Sequence, residues 1–205
     1  MRRLLTVLLV SACAWVVMLA QASGSSAQEG FTKKLVAAAV ARAQVRVRYV
    51  PDYVRISYPN GDVPSNTGVC TDEIIRIYRA VGVDLQKEVH EDIEQHLSAY
   101  PLHGAYADSN IDHRRVPNLR RFFERHGTVL PITRNASDYK PGDLVTWNLG
   151  GKYTHIGMVV DQKSIFGRYK ILHNIGDGPR IEDVLFDWQI TGHYRYYGSD
   201  RITAR

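Results

Sequence analysis

One thiol and two imidazoles carry most of the chemistry this sequence can offer. Among the 205 residues the only cysteines are Cys13 and Cys70. Cys13 lies inside an N-terminal apolar run, so removal of that run leaves Cys70 as the single thiol of the mature chain. Such a cysteine outside the cytoplasm has no internal disulfide partner, and it is either a small buried hydrophobe or a group kept for its reactivity. Positions 70, 74, 77 and 81 share one helical face, which sets Cys70 at the N-terminal end of the stripe Ile74, Ile77 and Val81. A thiol in a first helical turn feels the positive end of the helix dipole. This favours thiolate and provides backbone N–H donors for an oxyanion.

The segment His155-Ile156-Gly157-Met158-Val159-Val160-Asp161 alternates as a strand, with its even positions apolar and directed to the core. His155, Gly157, Val159 and Asp161 then share the other face. Gly157 leaves space beside His155 that a thiol-bearing helix end would fill, whereas an ordinary half-exposed strand histidine would not need the glycine. A base imidazole also needs a partner on its second nitrogen to hold one tautomer. His173 and Asn174, on the next expected strand, are the two candidates. Strand alternation puts them on opposite faces, so one at most can reach His155, and His173 is favoured.

Three further features bear on binding. Asp72 is placed to cap the helix start or to tune the thiol. In Asp112-His113-Arg114-Arg115 a guanidinium fork would suit substrate carboxylates, and the alternative is a solvated loop tied down by an Asp–Arg pair. The eight histidines include no His-Glu-x-x-His pattern, and no paired-cysteine motif occurs, so no metal is expected, and a thiol–imidazole pair works without an organic cofactor. His90, His96, His103, His126 and His193 lack ligand spacing and are expected at surface or capping positions.

The elements that must position these groups follow from periodicity and punctuation. Phe31 to Val45 reads as an amphipathic helix, and Tyr49 to Tyr58 as a short strand or extended arm that turns at Pro59-Asn60-Gly61-Asp62. Helices are expected from Thr71 to Val81 before Gly82, from about Leu85 to Ala99 before Pro101, and from Pro117 to His126 before Gly127. Strands follow at Leu144–Trp147, His155–Asp161, Lys170–Ile175 and Gly192–Tyr197. Helices first and strands last predict an α+β fold, with N-terminal helices packed on a C-terminal antiparallel β-sheet.

Bulk composition sets the setting. Met1-Arg2-Arg3, the apolar run Leu4 to Ala20 and the small residues from Ala22 to Ala27 have the order of a secretory signal peptide. This predicts a signal over 1–27, one domain over 28–205, and export to the periplasm or beyond the cell without lasting membrane insertion. Val10-Ser11-Ala12-Cys13 offers a lipid anchor as an alternative, although the apolar run continues past Cys13. Apolar residues make up 44% of the chain and charged residues 23%, as in globular proteins. The net charge of +5 would draw polyanions, but Lys and Arg are dispersed without interleaved aromatics, so no nucleic-acid partner is expected. No heptad pattern suggests an oligomer, and a monomer is expected.

Thr67-Gly68-Val69-Cys70 opening a helix, Pro141-Gly142-Asp143-Leu144-Val145 leading a strand, His155-Ile156-Gly157-Met158-Val159, and then Leu172-His173-Asn174 resemble, in this order, the NlpC-type superfamily of papain-like cell-wall peptidases. Tyr58 to Cys70, Ile111 to Leu119 and Thr191-Gly192-His193-Tyr194-Arg195-Tyr196 more closely resemble the bacterial domain-of-unknown-function family 1287, a likeness that runs from about Val47 to Tyr197. Val69-Cys70-Thr71-Asp72 stands where Asp-Cys-Ser is usual in the superfamily. The resemblance implies a papain-like fold and a Cys70–His155–His173 triad that forms a thioester while hydrolysing an amide of peptidoglycan. It also implies an oxyanion held by the Cys70 backbone N–H, and a substrate-side tyrosine at the place of Tyr58, which could equally be a packed aromatic. A non-catalytic wall-peptide-binding module and a thioester-forming acyltransferase are the alternatives.

Overall fold

A computed structural model of the chain describes residues 26–101, 106–151 and 153–199. The expected signal segment, apart from its last two residues, lies outside them, as do Cys13 and His103. No helix among the described residues is long and apolar enough to cross a membrane.

Helix α1 (26–42) buries Phe31, Leu35, Val36 and Ala39, one stripe at helical spacing. Gly142 docks against this helix with a φ of 91°, and a Cβ there would come within 2.9 Å of Thr32 Cγ2. Both its left-handed backbone and its lack of a side chain are therefore used. Two short strands, β1 (Arg48–Tyr49) and β2 (Thr67–Gly68), pair in parallel and lead into α2 (Cys70–Ala80). Helix α3 (Leu85–Gln95) starts on Asp84, whose carboxylate accepts from the Gln86 N–H at 3.1 Å, and α4 (Val116–His126) starts with proline in its first turn. The expected helix to Ala99 stops at Gln95 and resumes as a 3₁₀ turn over Leu97–Ala99.

The C-terminal half forms a six-stranded antiparallel sheet in the order β3-β8-β4-β5-β6-β7. Its strands are β3 (Thr128–Val129), β4 (Leu144–Asn148), β5 (Thr154–Lys163), β6 (Tyr169–His173), β7 (Arg180–Glu182) and β8 (Gln189–Arg195). The α+β fold expected from the order of helices and strands is the observed one. Strands β3 and β7 were not expected, since two or three residues are too few to show a period.

Both faces of the sheet are covered. Leu144, Ile156, Met158, Leu172 and Tyr194 pack with the helices around Tyr78, Phe122, Phe123 and Tyr196. On the opposite face Val145, Trp147, Val159 and Ile171 meet Tyr139 and Leu185. The turn before β4 is held by Asp143, whose buried carboxylate is 2.9 Å from His193 Nε2 and accepts from Arg195 Nε at 2.7 Å. His193 is thus a buried strand residue, stacked on Tyr139 with ring centroids 4.2 Å apart, and not the surface group expected of it. His90 departs from expectation in the same way, buried with its Nδ1 2.9 Å from Asp112.

Candidate active site

Cys70 is the first residue of α2 and is buried close to the start of β5. Its thiol lies close to the backbone of Ile156, the residue that follows His155. The segment before it is held by Asp72, which accepts from the Val69 N–H at 2.7 Å and from Arg114 Nε at 2.8 Å and Nη2 at 3.2 Å. Arg114 also donates to the Asp52 carbonyl at 2.9 Å, and Thr71 Oγ1 donates to the Arg114 carbonyl at 3.0 Å. One buried ion pair therefore ties together the extended arm, the helix start and the turn at 112–114.

His155 sits near the start of β5 on the sheet face away from the helices. Its Nε2 is 2.9 Å from His173 Nδ1, and His173 Nε2 is 2.9 Å from a carboxylate oxygen of Glu182. Trp147 and Trp188 flank the His155 ring at centroid distances of 5.9 and 6.0 Å. Asn174, the rival partner, faces elsewhere: its amide donates to the Gly68 carbonyl at 3.5 Å, bracing the strand before Cys70. Asn174 follows the last residue of β6, His173, and the two side chains part as expected.

Gly157 serves a different purpose from the expected one. A Cβ there would lie 2.6 Å from Ile171 Cγ2, 2.8 Å from the Leu172 carbonyl and 3.2 Å from His173 Cβ. The glycine admits the neighbouring strand, not a helix end, and it is this close approach that brings His173 to His155.

Electrostatics correct a second expectation. Burial pushes the Cys70 thiol up to about 12, against the opposing backbone hydrogen bond at Ile156, and the charge of Asp72 adds to the rise. Burial, and then the neighbouring His173, push His155 down to about 3. His173 is also lowered by burial, with Glu182 acting against the shift. Near neutral pH Cys70 is therefore a thiol and His155 a neutral imidazole. Desolvation outweighs the helix-terminus effect that favoured thiolate on sequence grounds.

A groove of about 330 Å³ opens beside Cys70, lined by Tyr49, Arg115, Pro117, Asn118 and Thr154 among others. The four residues 112–115 divide sharply around it. Asp112, His113 and Arg114 are buried, whereas Arg115 is half-buried, lines the groove and makes no ion pair among the described residues. Arg114 has its fork filled by Asp72, and His113 is pushed down to about 3 by burial and then by Arg114. An Asp–Arg pair does tie this turn down, but its acid is Asp72.

Tyr58 points away from the groove, donating to Glu91 at 3.2 Å and standing edge-on to His90 with centroids 5.1 Å apart. The tyrosine beside the thiol is Tyr49, pushed up to about 12 by burial, then by Cys70 and Asp72. Sequence reading missed Tyr49 and Glu182, since a two-residue and a three-residue strand carry them and neither has a recognisable pattern.

Residues 36–196 match the family described as Domain of unknown function (DUF1287), and the chain belongs to that family. It is 50% identical over 151 residues to the uncharacterized protein YijF of Escherichia coli (strain K12), across 73% of this chain and 74% of that one. Among solved structures, NlpC1 from Trichomonas vaginalis is similar with a TM-score of 0.43 and 13% identity, over 81% of this chain. This chain spans 44% of the NlpC1 chain.

Proposed function

We propose that the protein is a cysteine hydrolase of the papain-like, NlpC type, which cleaves an amide bond in peptidoglycan peptides with Cys70 as nucleophile, His155 as base and His173 as the group that orients the base. The observation that carries this reading is the contact of His155 Nε2 with His173 Nδ1 at 2.9 Å, on a strand whose next residue, Ile156, approaches Cys70 through its backbone. A thiol at a helix start and a strand-borne imidazole held by a second polar side chain are the groups nucleophilic acyl transfer uses.

The neutral resting pair defines the sequence of steps. With Nε2 engaged by His173, His155 Nδ1 is the nitrogen left to take the thiol proton as sulfur attacks the amide carbonyl, so charge appears only as the S–C bond forms. The developing oxyanion is stabilised by the backbone N–H of Cys70 in the first turn of α2. The imidazolium then protonates the departing amine, leaving a thioester, and the same imidazole removes a proton from the water that hydrolyses it. Arg115 is suited to a carboxylate of the substrate peptide, supported by its place in the groove that Cys70 also lines and by its making no ion pair among the described residues. Export to the compartment that holds such peptides is supported by the order of Met1-Arg2-Arg3, apolar run and small residues.

Incubating the mature protein with peptidoglycan and resolving the products by mass spectrometry tests this. New fragments are expected from the native chain and none from Cys70→Ala; the same fragments from both would exclude Cys70 as the nucleophile.

A further inference from the structure

We propose that Glu182 is a positioning residue for this site: its carboxylate fixes the tautomers of His173 and His155 and so keeps His155 Nδ1 free to accept a proton. The inference deepens the hydrolase reading and rests on it for the role of His155, though the tautomers themselves do not depend on any substrate. Its basis is the continuous run of two contacts, His155 Nε2 to His173 Nδ1 and His173 Nε2 to Glu182, each 2.9 Å.

Hydrogen-bond logic supplies the direction. An ionised carboxylate has only acceptors, so His173 Nε2 must carry the proton and donate it. In a neutral imidazole the other nitrogen is then an acceptor, which makes His173 Nδ1 receive a proton from His155 Nε2. His155 Nδ1 is left bare. Without the carboxylate the chain of two rings can run the other way, with His155 Nδ1 protonated and unable to act as base. When the Cys70 proton moves to Nδ1, the new positive charge is shared along the same two hydrogen bonds towards Glu182, and no proton leaves the chain of groups.

The charges around the pair leave Glu182 in this role. Asp187 also acts on His173 through space but makes no hydrogen bond to it. On β7 and beside it, Arg180 is turned to Asp177 at 3.4 Å and Asp183 is held by Arg168 at 2.8 Å. Trp147 and Trp188, the other neighbours of the two rings, carry no charge. The Glu182 side chain is 41% exposed, so its replacement leaves the core intact.

Nitrogen-15 NMR of histidine-labelled mature protein at pH 7 tests the proposal with native chain, Glu182→Gln, Glu182→Ala and Asp187→Asn. Nε2-protonated signals are expected for both His155 and His173 in the native chain and in Asp187→Asn, and a shift towards the Nδ1-protonated form in Glu182→Ala. Alkylation of Cys70 by iodoacetamide at pH 8 should slow roughly 10-fold in Glu182→Ala, with a smaller loss in Glu182→Gln, whose carbonyl still accepts. Unchanged tautomers in Glu182→Ala, or Nδ1-protonated His155 in the native chain, would overturn the proposal. A native chain with the expected tautomers that releases no peptidoglycan fragments would sink the hydrolase reading and leave the role of Glu182 standing.

Discussion

A methyl group is enough to disturb the site at Gly157. Its Cβ would meet Ile171 Cγ2 at 2.6 Å and the Leu172 carbonyl at 2.8 Å, and the second is backbone that cannot step aside. Gly157→Ala is expected to lower stability by about 1–3 kcal/mol through overpacking and to reduce activity by moving His173, as chemical denaturation and the fragment assay would report. Cys70 itself should react slowly. With the thiol pushed up to about 12, iodoacetamide alkylation at pH 7 should be slower than that of a free thiol and should keep rising above pH 9. A rate above that of a free thiol at pH 6 would instead indicate a resting thiolate. The candidate pair could be picked out of the sequence as a lone thiol and a strand histidine, although the glycine that pointed to it admits the neighbouring strand. The protonation of the pair could not be read there, since the helix-terminus effect can be read from position while desolvation depends on what packs around the sulfur.

Among the elements, the start of α2 depends on groups from three separate segments. Asp72 and Arg114 are both buried and joined by two hydrogen bonds, with Val69 and Asp52 completing their contacts. Removing either partner strands a buried charge, so Asp72→Asn and Arg114→Met should each cost about 3–5 kcal/mol in urea denaturation. The double substitution should cost clearly less than the two added together; additive losses would mean the pair is not coupled. Helix and strand types were readable here from period and caps, and the main strands fall within a few residues of expectation. The role of the 112–115 segment was not readable. Four consecutive polar residues look like a solvated face, and only the chain folding back onto α2 buries three of them and leaves Arg115 at the groove.

For the whole molecule, buried histidines set the acid limit. His113 and His155 both fall from the ordinary 6.5 to about 3, so between those values the unfolded chain binds protons that the folded chain refuses. Stability should therefore decline as pH falls from about 6.5, by up to about 1.4 kcal/mol per pH unit for each histidine. Further down, Asp92 adds to the loss: burial works against its charge, but Arg125, Tyr100 and His126 hold it below the usual carboxylate range. Asp112, raised by burial, offsets part of this. Calorimetry should show a melting temperature that drops steeply from pH 6.5 to 4, and a flat profile across that interval would contradict the burial of the two neutral rings.

The sequence by itself determined the α+β order, the helix that begins at Cys70, the strand that carries His155, and that His173 and Asn174 face opposite ways. These follow from local rules, because period, caps and alternation act between residues near in the chain. Only the tertiary structure decided that Gly157 admits a strand, that Tyr49 and not Tyr58 stands beside the thiol, that Asp72 occupies Arg114, and that Glu182 ends the histidine pair. Each of those depends on contacts between segments far apart in sequence, where burial and the filling of every hydrogen bond select the partner and no local pattern records it.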